Sequence, residues 1–115
     1  MITYLTSPYS SKEKGVPQQR FEEVEKATAF FMKHGHAVYS PIVHCHRIAS
    51  LYDLPTDADF WWRYNQRFMI AARDIWVLKL EGWSESKGVR MEVDFANTFF
   101  KPVLYIEPDQ LTRYV

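Results

Sequence analysis

The chain has 115 residues, with 14 Lys plus Arg against 14 Asp plus Glu, 47% hydrophobic and 17% aromatic. That length holds one domain over residues 1–115, enough for a single helix-covered sheet. The balanced charge argues against a nucleic-acid polymer as partner, since such proteins carry a basic excess for the phosphates. Cys45 is the only cysteine, and neither a signal peptide nor a membrane-length apolar run is visible, so the expectation is a cytoplasmic protein with no membrane partner.

Residues 2–6 are a short apolar, β-branched run that reads as a buried strand, stopped by the turn residues Ser7-Pro8-Tyr9-Ser10-Ser11. Over residues 17–34, Phe21, Val24, Ala27, Thr28, Phe31 and Met32 recur at helical spacing, and Gly35 suits the position just past the helix end. Residues 37–40 form a second strand, halted by Pro41. Residues 42–56 read as a long mixed connection with a short helix around 46–52.

Thr56 or Asp57 then caps a helix that runs through Phe60, Tyr64 and Phe68 to Arg73. Residues 74–80 are the most strand-like run in the chain. A polar loop over 81–86 follows, and Ser86 caps a helix over 87–100. Residues 102–106 form a fourth strand and 108–114 a last helical turn or two. Strands alternating with helices predict an α/β fold with a mainly parallel four- or five-stranded sheet and right-handed crossovers. Ligands of such sheets bind where strands end, near a switch in strand order. The loops after the first and third strands qualify by position.

Chemistry concentrates in the second of these, Gly82-Trp83-Ser84-Glu85-Ser86-Lys87-Gly88-Val89-Arg90-Met91-Glu92. At a helix start the Ser86 hydroxyl and free backbone N–H groups suit an anion, and Gly88 lets the backbone come close to one. Lys87 or Arg90 would add charge. Glu92 follows about a turn and a half in, where the positive helix end should favour an ionised carboxylate. Small Ala96, four residues on, leaves room beside it. A purely structural role competes: Ser86 as a plain cap, and Glu92 as a solvated carboxylate paired with a nearby base.

Ser7, with Tyr4 and Tyr9, is the second candidate. Tyr4 also suits the core, because parallel strands are buried on both faces. His44-Cys45-His46 offers metal-type ligands but lacks a spaced second pair, so no metal site is expected. No Gly-x-Gly-x-x-Gly or Walker sequence appears, and no cofactor is expected. Phe60, Trp61, Trp62 and Tyr64 read as core or interface packing, with base stacking the lesser alternative.

The segments Tyr4-Leu5-Thr6-Ser7-Pro8-Tyr9-Ser10, Tyr39-Ser40-Pro41-Ile42-Val43-His44-Cys45-His46 and 74–96 resemble the nucleoside 2-deoxyribosyltransferase-like superfamily. The similarity spans nearly the whole chain and is strongest to a small bacterial and phage family within it. The resemblance implies a flavodoxin-like or Rossmann-like three-layer sandwich. It further implies cleavage or exchange of the N-glycosidic bond of a 2′-deoxynucleoside or nucleotide.

By that resemblance Glu92 is the nucleophile, Tyr4 its neighbour, Ser86 a phosphate-binding serine and Ser7 a phosphate-side residue. Pro8, Tyr9, His44 and Gly88 fall with them on the substrate side. Ser86 stands where nucleoside-specific transferases carry an acidic residue, which favours a 5′-monophosphate substrate. The resemblance also implies a homodimer or larger assembly, for which Trp61 and Trp62 are candidates. One position departs from the pattern. Gln66, with Asn65 beside it, stands where active relatives often place an aspartate, and an amide there can bind substrate through a sugar hydroxyl or base edge but cannot protonate a leaving base. A nucleotide-binding or sensor protein with weak or no catalysis is therefore the rival to an enzyme.

Overall fold

The computed structural model describes residues 1–55 and 57–112. Four strands and five α-helices alternate along them: β1 (Thr3–Thr6), α1 (Val16–Lys33), β2 (Val38–Tyr39), α2 (Pro41–Leu51), α3 (Ala58–Ala71), β3 (Asp74–Leu78), α4 (Lys87–Thr98), β4 (Val103–Ile106) and α5 (Pro108–Thr112). A single 3-10 turn over Trp83–Glu85 precedes α4. All pairings are parallel, in the order β2-β1-β3-β4. The fold class is the expected one: an α/β sandwich built on a parallel sheet.

The two central strands, β1 and β3, are buried along their whole length, as apolar runs covered on both faces must be. Their register pairs Tyr4 with Ile75, Leu5 with Trp76 and Thr6 with Val77. Side-chain alternation then sorts the core into two layers. Leu5, Trp76, Leu78 and Leu80 pack with Val24, Ala27 and Phe31 of α1, and Ile42, Val43 and Leu111 close that layer from α2 and α5. On the other face, Tyr4 and Ile75 pack with Met69 and Ala72, at the end of α3, and Ala96 of α4. Each fully buried aliphatic side chain here contributes roughly 1.5–3 kcal/mol. At the lower end of the sheet, the Thr3 hydroxyl donates to Asp74 Oδ1 at 2.6 Å, fixing the β1–β3 register from the end away from the loops.

Helix ends follow local chemistry. The N–H groups of Gly35 and His36 return to the carbonyls of Met32 and Phe31, and Gly35 takes the left-handed φ of 81° that this ending needs. Asp57 caps α3 through the Phe60 N–H at 2.7 Å. Thr56, the alternative cap, and the end of the predicted last helix lie outside the described residues. Strand and helix limits elsewhere shift by one to three residues: β2 is shorter, β3 stops at Leu78, and α3 and α4 stop at Ala71 and Thr98.

The main correction is α2. The connection predicted over 42–56 is instead an 11-residue helix starting at Pro41. Ser40-Pro41 reads as a strand stop, but it is equally a helix start: Ser40 Oγ accepts from the Val43 N–H at 3.2 Å, and proline is at ease in the first turn. Ser40→Ala should cost about 1 kcal/mol, seen as a lower thermal midpoint.

Candidate functional site

Strand order switches between β1 and β3. From β1 the chain crosses through α1 to β2 on one side, and from β3 it crosses through α4 to β4 on the other. The loops leaving these neighbouring strands therefore diverge, and the crevice between them is the expected place for a ligand.

Among the described residues, six of the seven buried side-chain polar atoms without hydrogen-bond partners lie on the elements around that end of the sheet. They are the hydroxyls of Tyr4, Thr6 and Ser7 on β1 and its loop, Tyr39 on β2, Asn65 Oδ1 on α3 and Glu92 Oε2 on α4; the seventh, Trp76 Nε1, belongs to the opposite core layer. Buried polar groups are normally paired, so an unpaired set of this kind invites a polar ligand. Tyr4 is fully buried and Ser7 only 7% exposed. The β1–β2 register sets Tyr39 beside Tyr4, with ring centroids 5.9 Å apart.

Glu92 is the chemical centre of this group. The residue is half-buried as a whole, but its Oε2 is enclosed. Burial pushes its carboxyl up to about 7, and the Tyr4 and Thr6 hydroxyls facing it hold it from rising further. Neither hydroxyl closes a hydrogen bond of normal geometry. The expectation of a carboxylate kept ionised by the helix end is thus corrected. Glu92 is the sixth residue of α4, and the dipole effect fades beyond the first turn. Nor is it a solvated carboxylate paired with a base: it makes no ion pair among the described residues. Tyr4 is raised well above the usual phenol range, first by burial and then by the Glu92 charge, so it stays a protonated donor beside the carboxyl.

Ser86 caps α4: its Oγ accepts from the Val89 N–H at 3.2 Å, which leaves its own proton to donate. The N–H groups of Lys87 and Gly88 belong to the first turn, where no intrahelical acceptor exists. A Cβ at Gly88 would meet only Ser86 Oγ, at 3.9 Å, so nothing within the chain itself demands glycine there. Pro8 is fully buried and sets the turn after Ser7.

Other candidates are placed differently from the sequence reading. The Tyr9 hydroxyl is engaged with His46 Nδ1 at 2.6 Å, while His46 Nε2 meets Gln18 Oε1 at 3.0 Å and its ring stacks on Phe21. His46 therefore ties α2 to α1, and Tyr9 is committed to it. His44 lies on a helix rather than in a loop, exposed, with Nε2 3.2 Å from the Tyr64 hydroxyl and its ring against Tyr39 and Phe68. Among the described residues, no group of three or more His, Cys, Asp or Glu is placed to hold a metal. Trp62 packs edge-on against Phe95, and Trp61 Nε1 donates to the Pro55 carbonyl.

On α3, Gln66 is half-buried, but it is Asn65 whose carbonyl oxygen is enclosed and unpaired. Trp62, Asn65, Met69 and Ala72 repeat at helical spacing along the sheet-facing stripe, which puts Gln66 to one side. Thr6 and Tyr39 are thus the residues that sequence reasoning missed, and Asn65 entered it only as the neighbour of Gln66. Thr6 and Tyr39 share the Tyr4 face by strand alternation and register, signals present in the sequence.

Comparison with known proteins agrees with this fold. A family model described as "Domain of unknown function (DUF1937)" matches residues 1–107. No curated protein matches the chain. Among solved structures, the chain is similar to a 2-deoxyribosyltransferase from the psychrotolerant bacterium Bacillus psychrosaccharolyticus, described as a suitable biocatalyst for synthesis of antiviral and antitumoral nucleosides. The TM-score is 0.66 at 20% identity, over 94% of this chain and 73% of that one. The likeness is one of fold.

Proposed function

The chain belongs to the DUF1937 family, and from that premise and its site we propose that it cleaves or transfers the N-glycosidic bond of a 2′-deoxynucleoside 5′-monophosphate. The observation that carries the reading is the enclosed Glu92 carboxyl, set at the strand crossover with the Tyr4 and Thr6 hydroxyls facing it. A sugar is rich in groups that complement such a set.

Ionised Glu92 attacks the anomeric carbon as the carbon–nitrogen bond breaks through an oxocarbenium-like transition state. The bonding pair leaves with the base, which takes a proton from solvent. Water, or an acceptor base, then displaces the carboxylate from the sugar and restores Glu92. Tyr4 and Thr6 orient the carboxyl by their hydroxyls. Ser7, the Ser86 hydroxyl and the first-turn N–H groups of α4 hold the 5′-phosphate, so that remote binding energy fixes the reacting carbon.

A second reading has its own support. Asn65 and Gln66 are amides and cannot protonate a leaving base, which favours a nucleotide binder with weak or no turnover. Both readings share the phosphate site, and calorimetry tests it. Ser86→Asp should weaken binding of a deoxynucleoside monophosphate by about tenfold or more, through like-charge repulsion, and leave the matching nucleoside nearly unchanged. Equal losses for both compounds would remove Ser86 from the phosphate site.

A further inference from the structure

Arg20 is the residue of α1 that the site has not yet used. Its guanidinium lies across the crevice loops: Nη1 donates to the Ser10 carbonyl at 2.9 Å and to the Tyr9 carbonyl at 3.4 Å, and Nη2 donates to the Glu81 carbonyl at 3.0 Å. Two of these acceptors belong to the loop after β1 and the third to the loop after β3. No carboxylate pairs with Arg20 among the described residues. Its charge is spent on main-chain oxygens alone.

Gly82 fits the same arrangement from the other side. Its φ is 89°, and a Cβ built there would stand 2.6 Å from Arg20 Nη2. The guanidinium thus occupies the space that any side chain at residue 82 would take. Beyond Thr6 and Val77 the β1–β3 ladder stops, and the two loops have no sheet bonds to hold them together. A planar fork with several fixed donors spans such a gap, whereas an ammonium is a single point.

We propose that Arg20 is a positioning residue: it straps the loop bearing Ser7 to the loop leading into Ser86, and so sets the spacing of the phosphate-binding groups. The link to phosphate rests on the function proposed above; the strap itself does not.

The test separates the two. Hydrogen exchange read by mass spectrometry should show residues 83–86, where the Trp83, Glu85 and Ser86 N–H groups are hydrogen-bonded, exchanging about tenfold or more faster in Arg20→Ala, with the middle of α1 unchanged, and trypsin should cut after Lys12 or Lys14 about tenfold or more faster. Arg20→Lys should restore one loop at most. Gly82→Ala, which displaces the fork, should loosen both loops, and in the double variant with Arg20→Ala its effect should shrink. Exchange unchanged over residues 83–86, or cleavage unchanged after both Lys12 and Lys14, in Arg20→Ala overturns the strap; should that variant not fold, the same readings apply to Gly82→Ala.

Kinetics then test positioning. KM for a deoxynucleoside monophosphate should rise about tenfold or more in these variants, and that for the matching nucleoside by less than about threefold. Equal rises for both would make Arg20 merely structural. If the wild type releases no base from either compound, the function reading fails, and the exchange data still decide the strap.

Discussion

Glu92→Gln should abolish base release, by about three orders of magnitude or more. An amide of the same shape is a far poorer nucleophile, and the buried position admits no substitute. Among the described residues whose buried polar atoms lack partners, Glu92 is the one carboxylate. Affinity for a deoxynucleoside monophosphate should stay within about tenfold, because the proposed phosphate contacts lie at the helix start and in the loop after β1. The pH profile should carry the same signature. Nucleophilic attack needs the ionised form, and burial holds the carboxyl near 7. Wild-type kcat/KM should therefore climb about tenfold per pH unit below 7 and level off above it. Steady-state rates across pH 5–9, with Glu92→Gln as control, check both points. Turnover that survives the substitution, or a profile flat through pH 7, would remove Glu92 from the chemistry.

The same substitution should stabilise the protein at alkaline pH. The Glu92 carboxyl titrates near 7 in the fold against an ordinary value of 4.5, chiefly because burial disfavours its charge. Between those values the unfolded chain has released a proton that the folded chain keeps. Stability from this residue is thus full below pH 4.5 and falls as pH rises, and the penalty is complete above 7. Each pH unit across that interval is worth about 1.4 kcal/mol, so the ionised carboxylate costs the fold up to about 3 kcal/mol. Glutamine keeps an acceptor for Tyr4 and Thr6 without a charge to bury. Thermal melts should show Glu92→Gln above wild type by about 10 °C at pH 8, with the two close together at pH 4.5. A variant no more stable than wild type at pH 8 would mean that the carboxylate is well solvated in the fold. Loss of activity with gain of stability is the pattern expected of a group kept for chemistry.

The elements that make the site were largely legible in the sequence, and for physical reasons. The strands β1 and β3 are continuous apolar runs bounded by turn residues, and α4 announces itself through the Ser86 cap and the spacing of Val89 and Ala96. The crossover followed from alternating strands and helices. What escaped was context. His44, Cys45, His46 and Arg47 interrupt the apolar pattern of α2, a helix whose only fully buried residue is Pro41, so its cap was the sole strong signal. Asn65 and Gln66 are adjacent amides, and only the packing of Trp62 and Met69 decides which one faces the sheet. The protonation of Glu92 depends on enclosure by β1 and α4 together, which no local pattern encodes. Arg20 reads as an ordinary helix-surface charge until the two loops are brought beside it.

The decisive assay is incubation of the wild-type protein with a panel of 2′-deoxynucleoside 5′-monophosphates and the matching nucleosides, with free base read by chromatography. Base should appear from at least one monophosphate, faster than from its nucleoside, and none with Glu92→Gln. A protein that binds a monophosphate tightly yet releases no base from any of them would contradict the proposed function, and would leave the site a nucleotide receptor.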